Sequence, residues 1–258
     1  GGAAPGRIDL AGPTAAAGAL ARAGVDVVSL ANNHSLDAGV DGLRRTAAAL
    51  AAAGVTAIGG RGGAAPPADR PGPGAAAIRR VGALRVALLA YTTVLGPGTD
   101  RDQAADAIAV LDAAAPGAAE RDVAAARSAA DVVVVVMHWG VEGEAAPRPI
   151  ERRLARALVV AGADLVVGAH PHVVQPVEWV ATGRAATRRP ALVAYALGNA
   201  LFDQWTTAAT RDGLALEVVV DRSGVVAAQR GTASTRPGRR GPQLALQPGG
   251  ALDLRPAP

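Results

Sequence analysis

The chain has 258 residues, 50% of them hydrophobic, so it can bury a large core in one domain or little more. Its net charge is +4, all 26 basic residues are arginine, and it has no cysteine, which excludes disulfides, iron–sulfur clusters and thiolate zinc sites. Aromatic residues make up 2% of the chain, which argues against single-stranded nucleic-acid binding, and no apolar run reaches the ~18 residues that span a bilayer.

Helices and short strands alternate in the first part of the chain. Runs rich in alanine and leucine predict helices, and short runs of valine predict buried strands. The predicted elements are helix 14–23, strand 25–30, helix 41–54 with Asp41 as its N-cap, strand 55–59, and a loop rich in Gly and Pro at 59–75.

The middle of the chain gives the clearest pattern. The predicted elements are a hairpin over 78–91 that turns near Gly82, a long loop at 92–117, helix 118–130, strand 131–137, helix 150–161 and strand 163–168. Strands that alternate with helices of this length favour parallel pairing with right-handed crossovers.

The last third changes to strands joined by turns. The predicted strands are 173–180, 191–197, 214–220 and 225–230. Residues 231–258 are rich in Pro, Gly and Arg and predict a loose tail, with 244–246 as its one strand-like piece. We therefore divide the chain into a domain over 1–230 and a tail over 231–258.

All four histidines directly follow apolar runs that predict buried strands. They are His34, His138, His170 and His172. Imidazole is the commonest metal ligand and the usual acid or base near neutral pH. Ligands of open α/β sheets bind beyond the carboxyl ends of the strands, so the pattern predicts one site that gathers all four rings.

The segment ANNHSLDAG (31–39) carries three candidate residues. Asn33 offers a neutral oxygen ligand for a divalent metal, His34 a proton for a leaving group, and Asp37 a carboxylate that orients the imidazole of His34. The alternative makes Asn32 and Asn33 turn residues and Asp37 a helix cap.

The next motif, MHWGVEGE (137–144), places His138 at the end of a valine-rich strand. Glu142 and Glu144 are candidate partners for the far N–H of a ligating histidine. The alternatives are a packed core histidine and a solvated acidic loop.

The motif GAHPHVVQ (168–175) has two histidines around a proline, which stiffens the backbone between them. On an extended segment His170 and His172 point in different directions, as two ligands of neighbouring metals, or a ligand and an acid, would require. The segment YALGNALFDQ (195–204) predicts a further strand end next to the site, in which Asp203 has a turn or cap role as its default.

These strings, in this order, resemble the CapA family of capsule and poly-γ-glutamate synthesis proteins, within the calcineurin-like metallophosphatase superfamily. The matching strings are GVDVVSLANNHSLDAG, HWGVE, GADLVVGAHPHVVQ and YALGNALFD, and they cover roughly residues 20 to 220. The resemblance implies a four-layer αββα sandwich with a dinuclear metal site at the strand ends.

By the superfamily pattern, Asn33, His138 and His170 would hold one metal, His172 would belong to the other, and His34 would be the general acid. Such N and O ligands suit Mn, Fe or Zn. The superfamily also uses an early strand that ends in Gly-Asp and an Asn-Leu-Glu-type motif, and neither is present here. The chain therefore resembles a family member without its first strand or two, which would hold one metal rather than two.

The resemblance implies a metal-dependent hydrolase of phosphoesters or analogous bonds, acting in synthesis or export of poly-γ-glutamate or a related capsule polymer. The alternative is a non-catalytic protein that binds the polymer through a degenerate metal site. Expected partners are an anionic polymer or a phosphoester and the capsule synthesis machinery, with no nucleic acid. The single methionine, Met137, predicts further sequence before Gly1, where a membrane anchor is one option, and the expected location is the cell envelope, with the cytoplasm as the alternative.

Overall fold

The computed structural model of the chain describes residues 10–60, 76–181, 190–204, 207–238 and 241–251. The helices are α1 (Ala16–Arg22), α2 (Gly39–Ala52), α3 (Arg101–Ala107), α4 (Gly117–Ala129) and α5 (Pro149–Ala161). The strands are β1 (Val27–Ser29), β2 (Thr56–Ile58), β3 (Ala77–Val81), β4 (Leu84–Thr92), β5 (Val132–His138), β6 (Leu165–Ala169), β7 (Val177–Val180), β8 (Ala191–Ala194), β9 (Asp212–Asp221), β10 (Gly224–Gly238) and β11 (Gly241–Gln247). Within these ranges, no helix has the length and apolar character needed to cross a membrane.

The centre of the molecule is a six-stranded mixed sheet with the order β3-β4-β5-β6-β8-β7. Strands β4, β5, β6 and β8 run parallel, and β3 and β7 pair antiparallel at the two edges. A parallel sheet is covered on both faces, which explains why β5 is almost entirely valine. The predicted parallel pairing through helical crossovers is confirmed, since α4 joins β4 to β5 and α5 joins β5 to β6.

This sheet is one of four stacked layers, in the order helix, sheet, sheet and helix. On one face, Val123 of α4 and Leu154 and Leu158 of α5 pack in the main core. The other face meets a second layer, made of a parallel β1–β2 pair and an antiparallel β9–β10–β11 sheet. Helices α1, α2 and α3 share a core with the β1–β2 pair. The predicted mixed α/β fold with four layers is therefore confirmed, and in the described chain the second sheet layer consists of two separate sheets.

One loop prediction and one helix-cap prediction in the first half of the chain are wrong. The segment 92–117 is not one long loop, because α3 forms within it, with the Asp100 side chain accepting a hydrogen bond from the Gln103 amide as its cap. The N-cap of α2 is Ala38, and Asp41 lies in the first turn of that helix. The predicted loop at 59–75 lies, beyond Gly60, outside the described residues.

The predicted loose tail is wrong for residues 231–238 and 241–247. Strand β10 continues to Gly238 and pairs with β11, while its Ala233 pairs with Gly213 of β9 and is buried. Hairpin pairing of β10 with β9 before it and with β11 after it orders this stretch despite its Pro, Gly and Arg content. Residues 252–258 lie outside the described chain. Strand β7 begins only at Val177, after Pro176, because proline has no N–H to donate to a sheet.

Candidate active site

The histidine motifs meet at one edge of the sandwich. His138 is the last residue of β5 and pairs in register with Ala169 of β6, so His170 follows directly beside it. The turn after β1 brings Asn33 from the second sheet layer, and its Oδ1 lies 2.9 Å from Nε2 of His138. The site is thus built from both sheet layers, between residues 105 positions apart in the chain.

His138 and His170, which we call the deep pair, have ring centroids 4.7 Å apart. Burial lowers the pKa of His138 to about 3, and the positive charges that the other histidines would carry act in the same direction. Burial also lowers the pKa of His170, against an opposing effect of the Glu142 charge. Both rings are therefore neutral at pH 7 and each keeps a nitrogen lone pair.

The Nδ1 atom of His170 is buried and has no hydrogen-bond partner among the described residues. Buried polar atoms are almost always paired, because an unpaired one loses its hydration without compensation. The ring that carries this nitrogen lies beside His138, so this arrangement indicates a place for a ligand that the ring nitrogen would bind.

His34 and His172, which we call the rim pair, are each held by a side-chain oxygen at Nδ1. Nδ1 of His34 lies 2.8 Å from Oδ2 of Asp37, which is itself 8% exposed and also accepts a hydrogen bond from the Leu10 amide. Nδ1 of His172 lies 2.7 Å from Oδ1 of Asn199. In both rings the hydrogen bond at Nδ1 leaves Nε2 as the nitrogen available to a substrate or ligand.

The backbone of the His-Pro-His motif is strained. His170 and His172 have φ values of 100° and 60°, a region that residues other than glycine rarely occupy and that concentrates at functional sites. Before them, Gly168 packs so closely that a Cβ atom would lie 1.8 Å from the Tyr195 carbonyl oxygen. That carbonyl also accepts a hydrogen bond from the buried Trp139 indole, which fixes the strand end that carries the motif.

The structure brings the six predicted site residues together, although their chemical roles stay predictions. Asn33, His138, His170 and His172 form one chain of contacts, and Asp37 orients His34 as expected. Of the two predicted acidic partners, Glu142 acts electrostatically on His170, while Glu144 is exposed and uses its backbone carbonyl to accept from Gln175.

Sequence reasoning missed three residues that shape the site. Asn199, expected only to lie nearby, binds His172 directly, and the Phe202 ring stacks on His172 at 5.2 Å. Gly96 lies against Asn33, where a Cβ would approach the Asn33 carbonyl oxygen to 2.7 Å. For Asn199, the signal available in the sequence was Gly198, which precedes it at a predicted strand end.

Comparison with known proteins identifies the family. The model of the family described as "Bacterial capsule synthesis protein PGA_cap" matches residues 1–204. The chain belongs to this family. The sequence prediction of a CapA-type protein is thereby confirmed.

Curated relatives of this PGA_cap chain carry related descriptions. The PGA biosynthesis protein CapA of Bacillus subtilis is 33% identical over 199 residues, which are 77% of this chain and 48% of that protein. The capsule biosynthesis protein CapA of Bacillus anthracis is 32% identical over 193 residues, 73% of this chain and 43% of that protein. A probable polyglutamine synthesis accessory protein of Mycobacterium tuberculosis is 34% identical over 162 residues, 59% of this chain and 40% of that protein. The chain spans about half the length, or less, of these relatives.

Solved structures give looser likenesses to this PGA_cap chain. The NAD nucleotidase of Haemophilus influenzae superposes with a TM-score of 0.44 at 14% identity, over 94% of this chain and 43% of that chain. A hypothetical protein from Thermus thermophilus gives 0.43 at 20% identity, over 89% of this chain and 77% of that chain. Similarities this low say nothing about the chemistry of the site.

The donor atoms of this PGA_cap site fit one divalent ion better than two. Among the described residues, no three His, Asp or Glu side chains converge as a ready metal cluster. The candidate donors are Asn33 Oδ1 and Nε2 of His138, which are 2.9 Å apart, and Nδ1 of His170, whose ring centroid lies 4.7 Å from that of His138. All three are neutral. Nitrogen and oxygen donors of this kind suit Mn, Fe or Zn. The nearby Asp37 carboxylate already accepts from Leu10 and holds His34.

Proposed function

We propose that this PGA_cap protein hydrolyses a phosphoester or an analogous bond during the synthesis or export of an anionic capsule polymer of the poly-γ-glutamate type. The observation that carries the proposal is the meeting of two kinds of histidine at one sheet edge. The deep pair supplies neutral donors with an orphaned nitrogen, and the rim residue His34 is oriented by a carboxylate.

The deep pair and Asn33 would hold the divalent ion. Such an ion, when bound, supplies Lewis-acid polarisation and a lowered pKa for coordinated water. His138 and His170 serve as donors because burial keeps them unprotonated at neutral pH. Since all three donors are neutral, they leave the charge of the ion uncompensated, which favours an anionic substrate.

His34 would act as the general acid. In the imidazolium form both ring nitrogens carry protons, and the Asp37 carboxylate at 2.8 Å accepts from Nδ1 and stabilises the positive charge. The proton on Nε2 is then free to transfer to the leaving oxygen. Asp37 keeps this orientation because the Leu10 amide donates to the same Oδ2 atom.

The test is hydrolysis of bis(p-nitrophenyl) phosphate and p-nitrophenyl phosphate by the full-length protein with Mn²⁺ or Zn²⁺. We expect metal-dependent turnover, and we expect His170→Ala to lower it by at least about 100-fold. Thermal unfolding of the variant serves as the control for folding. Full activity of a folded His170→Ala protein would contradict the proposal.

One observation favours a second function. The converging donor set has no carboxylate among the described residues, so a site that binds without catalysis is the alternative. In that function the site would bind the anionic polymer and assist its export. It predicts poly-γ-glutamate binding, measured by equilibrium dialysis, with no turnover of either phosphate ester.

We further propose that the protein works beside the capsule synthesis machinery at the cell envelope, as the descriptions of the CapA relatives suggest. The test is fractionation of cells that express the tagged full-length protein, followed by affinity purification of its partners. Recovery in the envelope fraction with capsule synthesis proteins is expected, and recovery only in the cytosol would contradict this placement.

A further inference from the structure

The Asn199 side chain belongs to a fixed part of the fold. Asn199 is 6% exposed and follows Gly198, which forms an antiparallel bridge with Gly213 at the start of β9. The approach is so close that a Cβ on Gly213 would lie 2.2 Å from the Asn199 carbonyl oxygen. The backbone of Asn199 therefore has little freedom to move.

The orientation of the Asn199 amide follows from its partners. Nδ2 donates to the Thr210 carbonyl at 2.9 Å and to Oε1 of Gln204 at 3.2 Å. A backbone carbonyl can only accept, so the NH₂ group must face Thr210 and Oδ1 must face His172. The Thr210 carbonyl thus identifies which end of the Asn199 amide is the nitrogen, an assignment that atom positions alone do not give.

The carbonyl of Thr210 is itself held in place. Oγ1 of Thr210 donates to the carbonyls of Gln204 and Thr207, and the Thr207 side chain caps the short 3-10 helix Ala208–Thr210. Thr210 is 6% exposed. The acceptor that orients Asn199 thus belongs to a buried residue of an internally bonded turn.

The orientation of Asn199 determines which nitrogen of His172 carries the proton. An amide oxygen only accepts, so its 2.7 Å contact requires a proton on Nδ1 of His172. In the neutral imidazole, Nε2 then carries the lone pair. The Phe202 ring, stacked at 5.2 Å and 30°, opposes rotation of the imidazole out of this position.

We propose that Asn199 is a positioning residue that fixes His172 as the Nδ1–H tautomer and so presents its Nε2 lone pair to the ligand of the histidine cluster. The two histidines of the His-Pro-His motif then offer different nitrogens, Nδ1 from His170 and Nε2 from His172. The identity of the group that meets Nε2 rests on the proposed function, but the tautomer itself does not.

The first experiment reads the tautomer directly by long-range ¹H–¹⁵N NMR of the metal-free protein labelled at histidine. The chain has four histidines, and loss of one set of signals in His172→Gln assigns that residue. We expect His172 in the Nδ1–H form in the unaltered protein, and His172→Gln serves only to assign its signals. An Nε2–H form at His172 would overturn the proposal.

Two variants separate hydrogen bonding from packing. Asn199→Leu should shift His172 toward the Nε2–H form, while Asn199→Asp, whose carboxylate still accepts from Nδ1, should preserve the Nδ1–H form. Gln175→Leu is the matched control, because Gln175 is also a buried amide but donates to the Glu144 carbonyl. An unchanged tautomer in folded Asn199→Leu, or the same shift in Gln175→Leu, would overturn the proposal.

The second experiment measures Zn²⁺ affinity by equilibrium dialysis. Residues that orient a ligating histidine are typically worth about 10- to 100-fold in metal affinity, so we expect a loss of that size in Asn199→Leu and recovery in Asn199→Asp. A changed tautomer with unchanged Zn²⁺ affinity would overturn the assignment of Nε2 to the ligand. Absence of Zn²⁺ binding by the unaltered protein would contradict that assignment and the proposed function together, while the NMR result tests Asn199 separately.

Discussion

The deep pair, His138 and His170, and the rim pair, His34 and His172, share one sheet edge but are held in opposite ways. The deep rings are fixed by burial and by strand ends, and the His170 ring keeps a nitrogen that nothing in the described chain pairs. Each of the rim rings has a side-chain oxygen at hydrogen-bond distance from its Nδ1 atom. Burial therefore selects the protonation state of a histidine, whereas a directed hydrogen bond selects which nitrogen acts.

Metal affinity should separate the deep pair from the rim residue His34 most strongly. We expect His170→Ala to lower Mn²⁺ or Zn²⁺ affinity by more than about 100-fold, because it removes the orphaned donor, and His34→Gln to change it by less than about threefold. Isothermal titration of the full-length proteins measures both. Equal losses in the two variants would remove the distinction between the deep pair and His34.

Catalysis should depend on the rim residue His34 in turn. General acid catalysis typically contributes about 10²- to 10⁴-fold, so His34→Gln should lower kcat within that range at unchanged metal affinity. Asp37→Asn should lower kcat less, since it weakens the orientation of the His34 ring without removing the general acid. Asp41→Asn is the control, because that carboxylate is exposed and pairs only with exposed Arg44 on α2 among its described contacts. A loss in Asp41→Asn equal to that in Asp37→Asn would contradict the orienting role.

The stability of the protein should also depend on close backbone packing at the strand end that precedes His170. Gly168→Ala would place a Cβ atom 1.8 Å from the Tyr195 carbonyl oxygen. We expect this substitution to lower the free energy of unfolding by about 1–3 kcal/mol or more. Gly12→Ala is the control, because a Cβ there meets nothing of the described chain within 4 Å. Denaturant unfolding measures both, and a neutral Gly168→Ala would show that the strand end can relax.

Acid should lower the stability of the metal-free protein gradually, through the deep residue His138. The pKa of His138 lies near 3 in the folded chain against 6.5 for the free group, so between these values the unfolded chain binds the proton and the folded chain does not. Stability of the metal-free protein should therefore fall as pH drops below about 6.5, by at most about 1.4 kcal/mol per pH unit from this residue. Urea unfolding from about pH 7 to about pH 4 measures the slope, and folded His138→Gln should show a shallower one. An identical slope in that variant would contradict a neutral, buried His138.

Local sequence was enough to predict the elements that position the histidines. The valine run of β5, the amphipathic α5 and the run before His170 each carry their own pattern, so the parallel core and its strand-end motifs are readable. Tertiary pairing overrode the local signal elsewhere. Residues 231–238 and 241–247 look like a loose tail but form parts of β10 and β11, because β10 pairs with β9 on one side and with β11 on the other.

The amino-acid sequence was sufficient for the family, the mixed α/β core and the four histidines with Asn33 and Asp37, because motifs and hydrophobic periodicity are local properties. How those residues are used became visible only in the folded chain. The contact of Asn33 with His138, the orphaned Nδ1 of His170 and the oxygen that Asn199 turns toward His172 all arise between segments distant in sequence. Protonation state and tautomer depend on burial and on the direction of a hydrogen bond, and both exist only after the chain has folded.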